Sequence, residues 1–152
     1  MITEFWGDLL DLIDRPEYNY IAHGCNCFCT MGAGFAKALA EKFPQALEVD
    51  RQTTDGDKSK LGTFTTTVVE GKQIFNLYTQ YEYGKDKTQL DIDALTDAFT
   101  ALNTYMVENN INHRPILIPR IGAGLAGGNW YDIIRCIDAA APNLNIIVVL
   151  KL

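Results

Sequence analysis

Two short segments of this sequence share one pattern of residue types. Met31–Ala36 and Ile121–Ala126 both read apolar-Gly-Ala-Gly-apolar-Ala, and each lies between a predicted strand and a predicted helix. Glycine lets a bound group approach the backbone because no Cβ stands in the way. Amides at the start of a helix lack an intrahelical partner and carry partial positive charge, so they suit an anion. Either segment alone is typical of a tight strand-to-helix turn. The pair predicts a site that binds the two phosphates of a pyrophosphate through backbone amides. These are the amides of Gly32, Ala33, Gly34 and Phe35 and of Gly122, Ala123, Gly124 and Leu125.

Other glycine-rich nucleotide loops fit these segments less well. A dinucleotide-binding fingerprint requires a third glycine three residues after the second, and the first segment has Lys37 there. The second has Gly127, but too little chain follows it for another βαβ unit. A phosphate loop ending in Gly-Lys-Ser/Thr is absent from the sequence. A nicotinamide dehydrogenase or a nucleotide hydrolase of that type is therefore not expected.

Composition and charge are those of an ordinary globular protein. The 152 residues are 47% hydrophobic, and 13 basic residues against 19 acidic ones give a net charge of -6. Proteins that bind nucleic acid through its phosphates usually have a basic face, so we expect no general nucleic-acid binding. We expect one domain over residues 1–152, no secretion signal and no membrane span, since no apolar run approaches the ~20 residues that a bilayer requires. Together these features predict a cytoplasmic protein with reduced thiols.

Cys25, Cys27 and Cys29 alternate close to His23 but do not predict a metal site. Structural zinc usually binds cysteine pairs separated by about two to four residues, whereas alternate residues of an extended segment point to opposite faces. We expect small thiols beside a ligand loop, no metal and no cofactor. A cysteine–histidine pair for acyl transfer also lacks support, because His23 is too near in an extended chain to guarantee that it faces these cysteines.

The order of predicted elements is that of an α/β fold with a mostly parallel central sheet. Apolar and β-branched runs predict strands, and apolar residues at helical spacing predict helices. Pro44 interrupts the first helix, and Thr88 with Asp91 resembles a capping box before the second. The predicted strands are 2–6, 18–22, 63–69, 73–78, 115–119 and 145–150, with a loop at 53–60, and the predicted helices run from 34 to 43, from about 90 to 108 and from Trp130 to near Pro142.

Four segments together resemble a macrodomain. Gly7-Asp8-Leu9 is similar to the family's opening Gly-Asp motif, and Ala22–Cys27 with Met31–Ala36 is similar to its first ligand loop. Pro119–Leu125 is similar to its phosphate loop, and the motifs occur in the family's order. The resemblance implies a three-layer α/β/α fold with a mixed central sheet and an ADP-ribose cleft at the crest of the sheet. It implies ADP-ribose or ADP-ribose 1''-phosphate as the ligand, with ADP-ribosylated macromolecules as candidate further partners.

The resemblance also assigns roles by matching position. Asp8 would receive the adenine amino group, Leu9 would contact the same ligand, and Asn26 would position the substrate at the distal ribose. His23 lies where the phosphatase branch carries a histidine. In catalysis it could activate water, protonate the leaving ribose oxygen or attack phosphorus. Alternatively, it could be a structural residue at the strand end, hydrogen-bonded to the backbone. An unperturbed imidazole, with a pKa near ~6.5, exchanges protons at neutral pH. The other expected ligand contacts are Thr79, Gln80, Pro119 and Tyr81, the last as a wall of the distal-ribose pocket, and Arg120 could balance a phosphate or pair with a carboxylate.

Two positions depart from the related macrodomains that remove ADP-ribose from acidic side chains. Their reactive lysine follows Leu-x-Thr and their catalytic aspartate follows Gly-x-Gly-Leu, whereas this chain has Gln80 and Ala126 there. Glutamine cannot form a Schiff base, and alanine cannot transfer a proton. The first ligand loop is similar to that of the phosphatase branch, so we expect hydrolysis of the phosphomonoester of ADP-ribose 1''-phosphate. A non-catalytic ADP-ribose reader and an ADP-ribosyl hydrolase that uses other residues remain the alternatives.

Overall fold

The computed structural model describes residues 1–83, 90–122 and 129–151 of the chain. Its strands are β1 (Ile2–Trp6), β2 (Tyr20–Cys25), β3 (Phe64–Val69), β4 (Lys72–Tyr78), β5 (Pro115–Ile118) and β6 (Asn145–Leu150). Its helices are α1 (Leu9–Leu12), α2 (Gly34–Lys42), α3 (Pro44–Arg51), α4 (Ile92–Glu108) and α5 (Trp130–Ala140), with a 3-10 turn at Lys58–Lys60. The six strands and the helices α2, α4 and α5 occur in the order that the sequence predicts.

The strands form one sheet in the order β1-β6-β5-β2-β4-β3. The first five run parallel to their neighbours and β3 is antiparallel to β4, which confirms the mixed sheet. Glu70 and Gly71 alone join β3 to β4, and both have positive φ, 52° and 81°. Two consecutive residues of this kind are typical of a type I′ turn, whose twist matches that of a hairpin. The predicted hairpin is therefore confirmed.

Helices cover both faces of the sheet. On one face α4 and α5 pack through a core that includes Phe99 and Ile133. On the other face α1 and α2 contribute Leu12 and Leu39 to a second core. The central strands are consequently buried on both sides and almost continuously apolar, as parallel strands under two helical layers usually are. This arrangement is the three-layer α/β/α fold that the resemblance implies.

The structure differs from the predicted elements in four places, the first being the short helix α1, which the sequence did not predict. Pro44 does not end helical structure but begins α3, where its missing amide would have no partner in any case. Helix α4 begins directly after Asp91, which is its N-cap and accepts a hydrogen bond from the Ala94 amide. The capping-box prediction was therefore wrong about Asp91, and Thr88 lies outside the described residues. The predicted loop at 53–60 contains a 3-10 turn capped by Asp57.

Three adjacent parallel strands, β4, β2 and β5, end at the same edge of the sheet. The segments that follow them along the chain therefore converge in space. In open α/β sheets, ligands bind outside the carboxyl ends of the strands, so this edge is where a site is expected. Within the described ranges, no helix has the length and apolar character needed to cross a membrane.

Candidate ligand-binding site at the carboxyl edge of the sheet

A cavity of about 620 Å³ opens at this edge of the sheet. Small-molecule sites typically enclose roughly 300–1,000 Å³, so the cavity has room for a ligand of nucleotide size. The end of β2 with the loop to α2, the residues after β4 and the residues after β5 all line it. The predicted site residues among its lining are His23, Asn26, Gly32, Ala33, Gly34, Phe35, Gln80, Pro119 and Gly122.

The N-terminus of α2 opens into this cavity without a side-chain cap. Its N-cap is Ala33, whose methyl group offers no acceptor, whereas α1, α4 and α5 are capped by the side chains of Asp8, Asp91 and Asn129. The first amides of any α-helix lack an intrahelical partner. In α2 these amides belong to residues that line the cavity. The helix therefore presents unpaired donors and its positive dipole end to whatever occupies the cavity.

The glycines of the first loop leave the approach to these amides open. Gly34 has a φ of 59°, in the left-handed region that glycine adopts without strain. A Cβ added to Gly32 would meet no protein atom within 4 Å. The protein's own packing therefore does not require glycine at position 32. A ligand that approaches the backbone amides would require it, because a Cβ would stand in its path.

The second glycine loop is described only at its beginning. Gly122 has a φ of 78°, and a Cβ there would lie 2.8 Å from two methyl carbons of Leu90, so both the backbone and the packing require glycine. Predicted contacts at Ala123, Gly124 and Leu125, and the departure at Ala126, lie outside the described residues. Helix α5 begins only at Trp130. Its first amides are thus separated from Gly122 along the chain, unlike those of α2, which follow their glycines directly.

His23 lies on the floor of the cavity and is 1% exposed. Burial lowers the pKa of its imidazole from 6.5 to about 4, although a hydrogen bond with Asn76 opposes this shift. The ring is therefore neutral at pH 7. A neutral imidazole can accept a proton or attack an electrophile, but it cannot donate a proton as an imidazolium.

Asn76 determines which nitrogen of His23 carries the proton. The Asn76 side-chain nitrogen donates to the carbonyl of Ala46 (3.0 Å) and to Thr65 Oγ1 (3.1 Å), so its Oδ1 must be the atom that faces His23. His23 Nε2 lies 2.6 Å from that oxygen and is assigned as the donor. The lone pair is then on Nδ1. Asn76 is a polar residue inside the apolar strand β4 and pairs in register with His23; this break in the apolar pattern was the signal that the sequence analysis missed.

The thiol of Cys25 lies close to the same imidazole, 3.5 Å from Nε2. Sequence spacing left this contact open, but it does not make a reactive pair. Burial raises the pKa of the Cys25 thiol well above its ordinary value, with Asp50 and Cys27 adding to the shift and Lys60 opposing it. Because the pKa of His23 is lowered, both groups are neutral at pH 7. A thiolate–imidazolium pair of the kind used in acyl transfer requires the opposite shifts.

Asn26 lines the cavity but uses its amide to close the loop after β2. Its Oδ1 accepts a hydrogen bond from the Phe28 amide (2.8 Å), and its nitrogen donates to Thr30 Oγ1 (2.9 Å) and more weakly to the Thr30 carbonyl (3.2 Å). Thr30 also lines the cavity, although the sequence did not single it out. A ribose hydroxyl would have to share or replace the contact with Thr30, so the predicted contact of Asn26 with the distal ribose stays a prediction.

Thr79 and Tyr81 do not line the cavity within the described residues, whereas Gln80 between them does. Thr79 is buried, and its Oγ1 lies 2.8 Å from where a Cβ of Gly24 would be, which explains the glycine in β2. The hydroxyl of Tyr81 donates to the Gly56 carbonyl (2.8 Å), away from a ligand. Ligand contacts of Thr79 and Tyr81 therefore stay predictions.

The residues after β4 contribute Gln80 and Tyr83 to the wall. Gln80 donates through Nε2 to the Glu82 carbonyl (2.8 Å), so its amide is held by the chain that follows it. Tyr83, a residue that the sequence analysis did not assign to the site, lines the cavity and is 64% exposed. An exposed ring at the rim of a cavity is available to pack against a ligand.

Asp8 and Leu9 lie between β1 and α1 and do not line the cavity within the described residues. The Asp8 carboxylate caps α1 by accepting a hydrogen bond from the Leu10 amide (3.0 Å). Leu9 is buried in the core between α1 and the sheet. A carboxylate can accept several hydrogen bonds, so the expected contact of Asp8 with an adenine amino group is compatible with its capping role and stays a prediction.

Arg120 is the only lysine or arginine among the described residues that line the cavity. Its guanidinium carbon lies 5.4 Å from the ring centroid of Trp130, within the range of a cation–π contact. No carboxylate of the described residues forms an ion pair with it. Of the two roles left open by the sequence, pairing with a phosphate therefore fits this geometry better.

The described residues show no cluster of metal-ligating side chains. No group of three or more His, Cys, Asp and Glu side chains comes together among them. Cys25 and Cys27 are buried and Cys29 is half-buried, and all three are free thiols. The groups that line the cavity are backbone amides, the His23 imidazole, the Arg120 guanidinium and a few polar side chains.

Similar proteins place this architecture in a family. The chain is 39% identical, over 94% of its length and 92% of the relative's, to an uncharacterized 17.5 kDa protein of Enterobacteria phage T4. It is 36% identical to the ADP-ribose 1''-phosphate phosphatase of Ajellomyces capsulatus, over 48% of this chain and 28% of that one. A Trypanosoma brucei macrodomain solved in complex with ADP-ribose has the same fold, with a TM-score of 0.69, 14% identity and coverage of 99% of this chain and 63% of that one. Residues 22–137 match the family model of the Macro domain, and the chain belongs to this family.

Proposed function

We propose that this macrodomain binds ADP-ribose in the cavity and hydrolyses the phosphomonoester of ADP-ribose 1''-phosphate to ADP-ribose and phosphate. A relative that is 36% identical over 48% of this chain is named for this activity, and a macrodomain of the same fold was solved with ADP-ribose. The observation that carries the proposal is the uncapped N-terminus of α2, which opens into the cavity.

The diphosphate of ADP-ribose would lie between the two glycine loops. Unpaired amides from Gly32 to Phe35 would hold one side of it, and the segment from Gly122 to Leu125 would hold the other. Hydrogen bonds from backbone amides to a charged oxygen are stronger than those between neutral groups. Arg120 would add a positive charge in a chain whose net charge is -6. This local arrangement offsets the unfavourable field of the whole molecule.

His23 would act on the terminal phosphate as a base. A water oxygen attacks phosphorus while its proton moves to Nδ1 of the neutral imidazole, and the bond from phosphorus to the 1'' oxygen breaks. The proton then passes from Nδ1 to that oxygen, which leaves as the hydroxyl of ADP-ribose. An imidazolium with a pKa of about 4 gives up a proton readily. Of the three roles considered for His23, proton donation in the first step is the one that its low pKa disfavours.

The burial of His23 supports a second candidate, a reader that binds ADP-ribose without turnover. Only 1% of the imidazole surface is exposed, and Nε2 is held by Asn76. A buried polar residue of this kind can serve to fix the strand beneath the loop. In that case the cavity would bind the product as well as the phosphomonoester, and His23 would not touch the reacting atoms.

One set of measurements separates these functions. Phosphate release from ADP-ribose 1''-phosphate and calorimetric titration with ADP-ribose are measured for the wild type, His23→Ala and His113→Ala. His113 is an exposed histidine in the segment before β5, at the opposite edge of the sheet, and serves as the matched control. Loss of turnover only in His23→Ala, with binding retained, supports the phosphatase. Binding without turnover in the wild type supports the reader, and absence of binding contradicts both.

A panel of ADP-ribosylated carboxylates and nucleobases, incubated with the same proteins, tests the remaining hydrolase alternative. Release of ADP-ribose from one of these linkages, without phosphate release from the phosphomonoester, would replace the phosphatase proposal.

A further inference from the structure

A second polar cluster lies behind the loop 26–30, outside the ligand cavity. It joins this loop to α3 and to the 3-10 turn, and it contains two charged groups that are almost fully buried. Asp50 is 1% exposed and Lys60 is 7% exposed. Charged groups are rarely buried unless they are paired, so the partners of these two side chains need an explanation.

Lys60 has no carboxylate partner among the described residues. Its Nζ donates to Thr53 Oγ1 (2.8 Å), lies 3.6 Å from Cys29 Sγ and sits 5.3 Å from the ring centroid of Tyr78. Within the described ranges it forms no ion pair at or below 4.0 Å. The nearest group that can become an anion at this ammonium is therefore the thiol of Cys29.

Asp50 does not neutralise Lys60 by direct contact. One of its oxygens accepts a hydrogen bond from the Tyr78 hydroxyl (2.7 Å), and the other has no partner among the described residues. Burial raises the pKa of this carboxyl, while the Tyr78 hydrogen bond and the charge of Lys60 act to lower it. The Nζ atom of Lys60 therefore lies closer to the Cys29 sulfur than to any carboxylate of the described residues.

Cys29 differs from the two cysteines before it. It has a φ of 54°, a left-handed conformation that is unusual for a residue with a side chain and that is kept here by the tight loop. Its Sγ lies 3.4 Å from Thr53 Oγ1, beside Lys60. Cys25 and Cys27 are buried, whereas Cys29 is half-buried. A small oxidant can therefore reach Cys29 more easily than either of them.

We propose that Cys29 and Lys60 form an oxidation site at which a hydroperoxide joins the two side chains through a sulfur–nitrogen bond. In the first step the Cys29 thiolate takes the terminal oxygen of hydrogen peroxide, the O–O bond breaks, and a proton converts the departing hydroxide to water. The product is a sulfenic acid, in which sulfur has lost two electrons to the peroxide. The thiolate is the form of cysteine that a peroxide oxidises.

In the second step the nitrogen of Lys60 replaces the hydroxyl group on sulfur. The ammonium loses two protons, one to the departing hydroxide, which leaves as water, and one to solvent. The linked protein has two hydrogen atoms fewer than the reduced protein. Condensation of a sulfenic acid with a nearby nitrogen is known chemistry for cysteine. The new bond ties loop 26–30, which carries Asn26 and Thr30 of the cavity wall, to the 3-10 turn.

The test is peptide mapping of the ligand-free protein after treatment with hydrogen peroxide. We expect a cross-linked peptide pair containing Cys29 and Lys60, lighter by two hydrogen atoms, which a thiol reductant separates. Cys29→Ser and Lys60→Arg should abolish it, and Lys60→Arg should instead accumulate a sulfenic acid that dimedone traps on Cys29. Cys136→Ser, which changes a half-buried cysteine in α5, and Lys58→Arg, which changes an exposed lysine of the same 3-10 turn, should leave the cross-link unchanged.

Three results would overturn the proposal. In the first, dimedone traps Cys29 of the wild-type protein and no cross-link forms. In the second, oxidation is confined to other cysteines. In the third, the cross-link survives in Cys29→Ser. The wild-type measurement needs no variant to fold. Because it detects a covalent bond without any ligand, its failure leaves the proposed ADP-ribose function untouched.

Discussion

The two Gly-Ala-Gly segments have nearly the same residue pattern but lead to different helix starts. After the first, α2 begins at the second glycine, and its N-cap Ala33 leaves the first amides unpaired. After the second, α5 begins at Trp130, and Asn129 caps it by accepting hydrogen bonds from Tyr131 and Asp132. Equivalent sequence patterns therefore do not provide equivalent anion sites. Among the described residues, the first loop combines glycines with the uncapped end of a helix, whereas the helix after the second loop is capped by Asn129.

Replacing Ala33 with aspartate should stabilise the fold at α2 while weakening the binding of ADP-ribose. The φ and ψ of Ala33, -150° and 159°, are extended, as an N-cap requires. The carboxylate introduced by Ala33→Asp would cap α2 and raise the free energy of unfolding by about 1 kcal/mol. The carboxylate would also accept the hydrogen bonds of the first α2 amides and place negative charge where a phosphate is proposed. We therefore expect the affinity for ADP-ribose to fall by about 1,000-fold, or about 4 kcal/mol. Calorimetry and urea denaturation measure the two effects; unchanged affinity would contradict the proposed phosphate position.

The strands that precede the two loops also differ, and pH should reveal the difference. β2 carries the buried His23, whereas β5 is apolar throughout. The folded pKa of about 4 lies below the ordinary 6.5, so the unfolded state binds more protons between these values. The free energy of unfolding should therefore be highest above pH 6.5 and fall by about 3 kcal/mol as the pH drops to 4.

His23→Gln is the control for this pH effect, because its amide can still donate to Asn76. The raised pKa of Asp50 acts in the opposite direction but is common to both proteins. The difference between wild type and variant across this range, measured by urea denaturation, therefore isolates His23. Parallel pH profiles for the two proteins would show that the imidazole is not desolvated.

Alanine at Gly122 should mainly lower the stability of the fold, whereas alanine at Gly32 should mainly lower the affinity for ADP-ribose. Gly122→Ala places a Cβ 2.8 Å from Leu90 at a positive φ, so we expect a loss of about 2 kcal/mol in the free energy of unfolding. Gly32→Ala meets open space and should change stability by less than about 0.5 kcal/mol. Its methyl group would instead hinder the ligand and lower ADP-ribose affinity by about tenfold. Thermal denaturation and calorimetry on both variants check this; equal effects would remove the distinction between the loops.

The smallest expected effect is at the cap of α5. Asn129→Ala removes the acceptor for two amides and should lower the free energy of unfolding by about 1 kcal/mol. ADP-ribose affinity should change far less than in Ala33→Asp, since the amides at this helix start already have a partner in the protein. An affinity loss as large as that of Ala33→Asp would mean that the start of α5 holds the ligand after all.

Much of the fold was predictable because local patterns and the global arrangement agree. Apolar runs such as Ile146–Leu150 read as buried strands, and the turn at Glu70-Gly71 between two such runs predicts a hairpin. Helix boundaries were less predictable. Pro44 suits both the end of one helix and the first position of the next, and Asp91 is a good cap on its own, so sequence alone could not choose between these positions.

The loops of the candidate site were predictable from the sequence, but the protonation state of His23 and the side chains that line the cavity wall were not. The histidine in β2 and the glycines after this strand stand out in sequence because few structural roles require them together. The neutral state of His23, by contrast, depends on Asn76, 53 residues away along the chain, and on how thoroughly helices exclude water from both. The sequence favours Tyr81 as a wall of the cleft, but the hydroxyl of Tyr81 bonds to Gly56, and of these two tyrosines Tyr83 is the one that lines the cavity.

The sequence by itself therefore determined the order of the strands and of helices α2, α4 and α5, the glycines that let a ligand approach the backbone, and the resemblance to macrodomains. These features depend on residue type and on neighbours a few positions away. Only the tertiary structure decided that the free end of α2 opens into a cavity, that His23 is neutral, and that Lys60 lies beside Cys29. Each of those outcomes depends on burial and on contacts between distant segments, and the free energy of a charge or an unpaired donor is determined by what surrounds it in space.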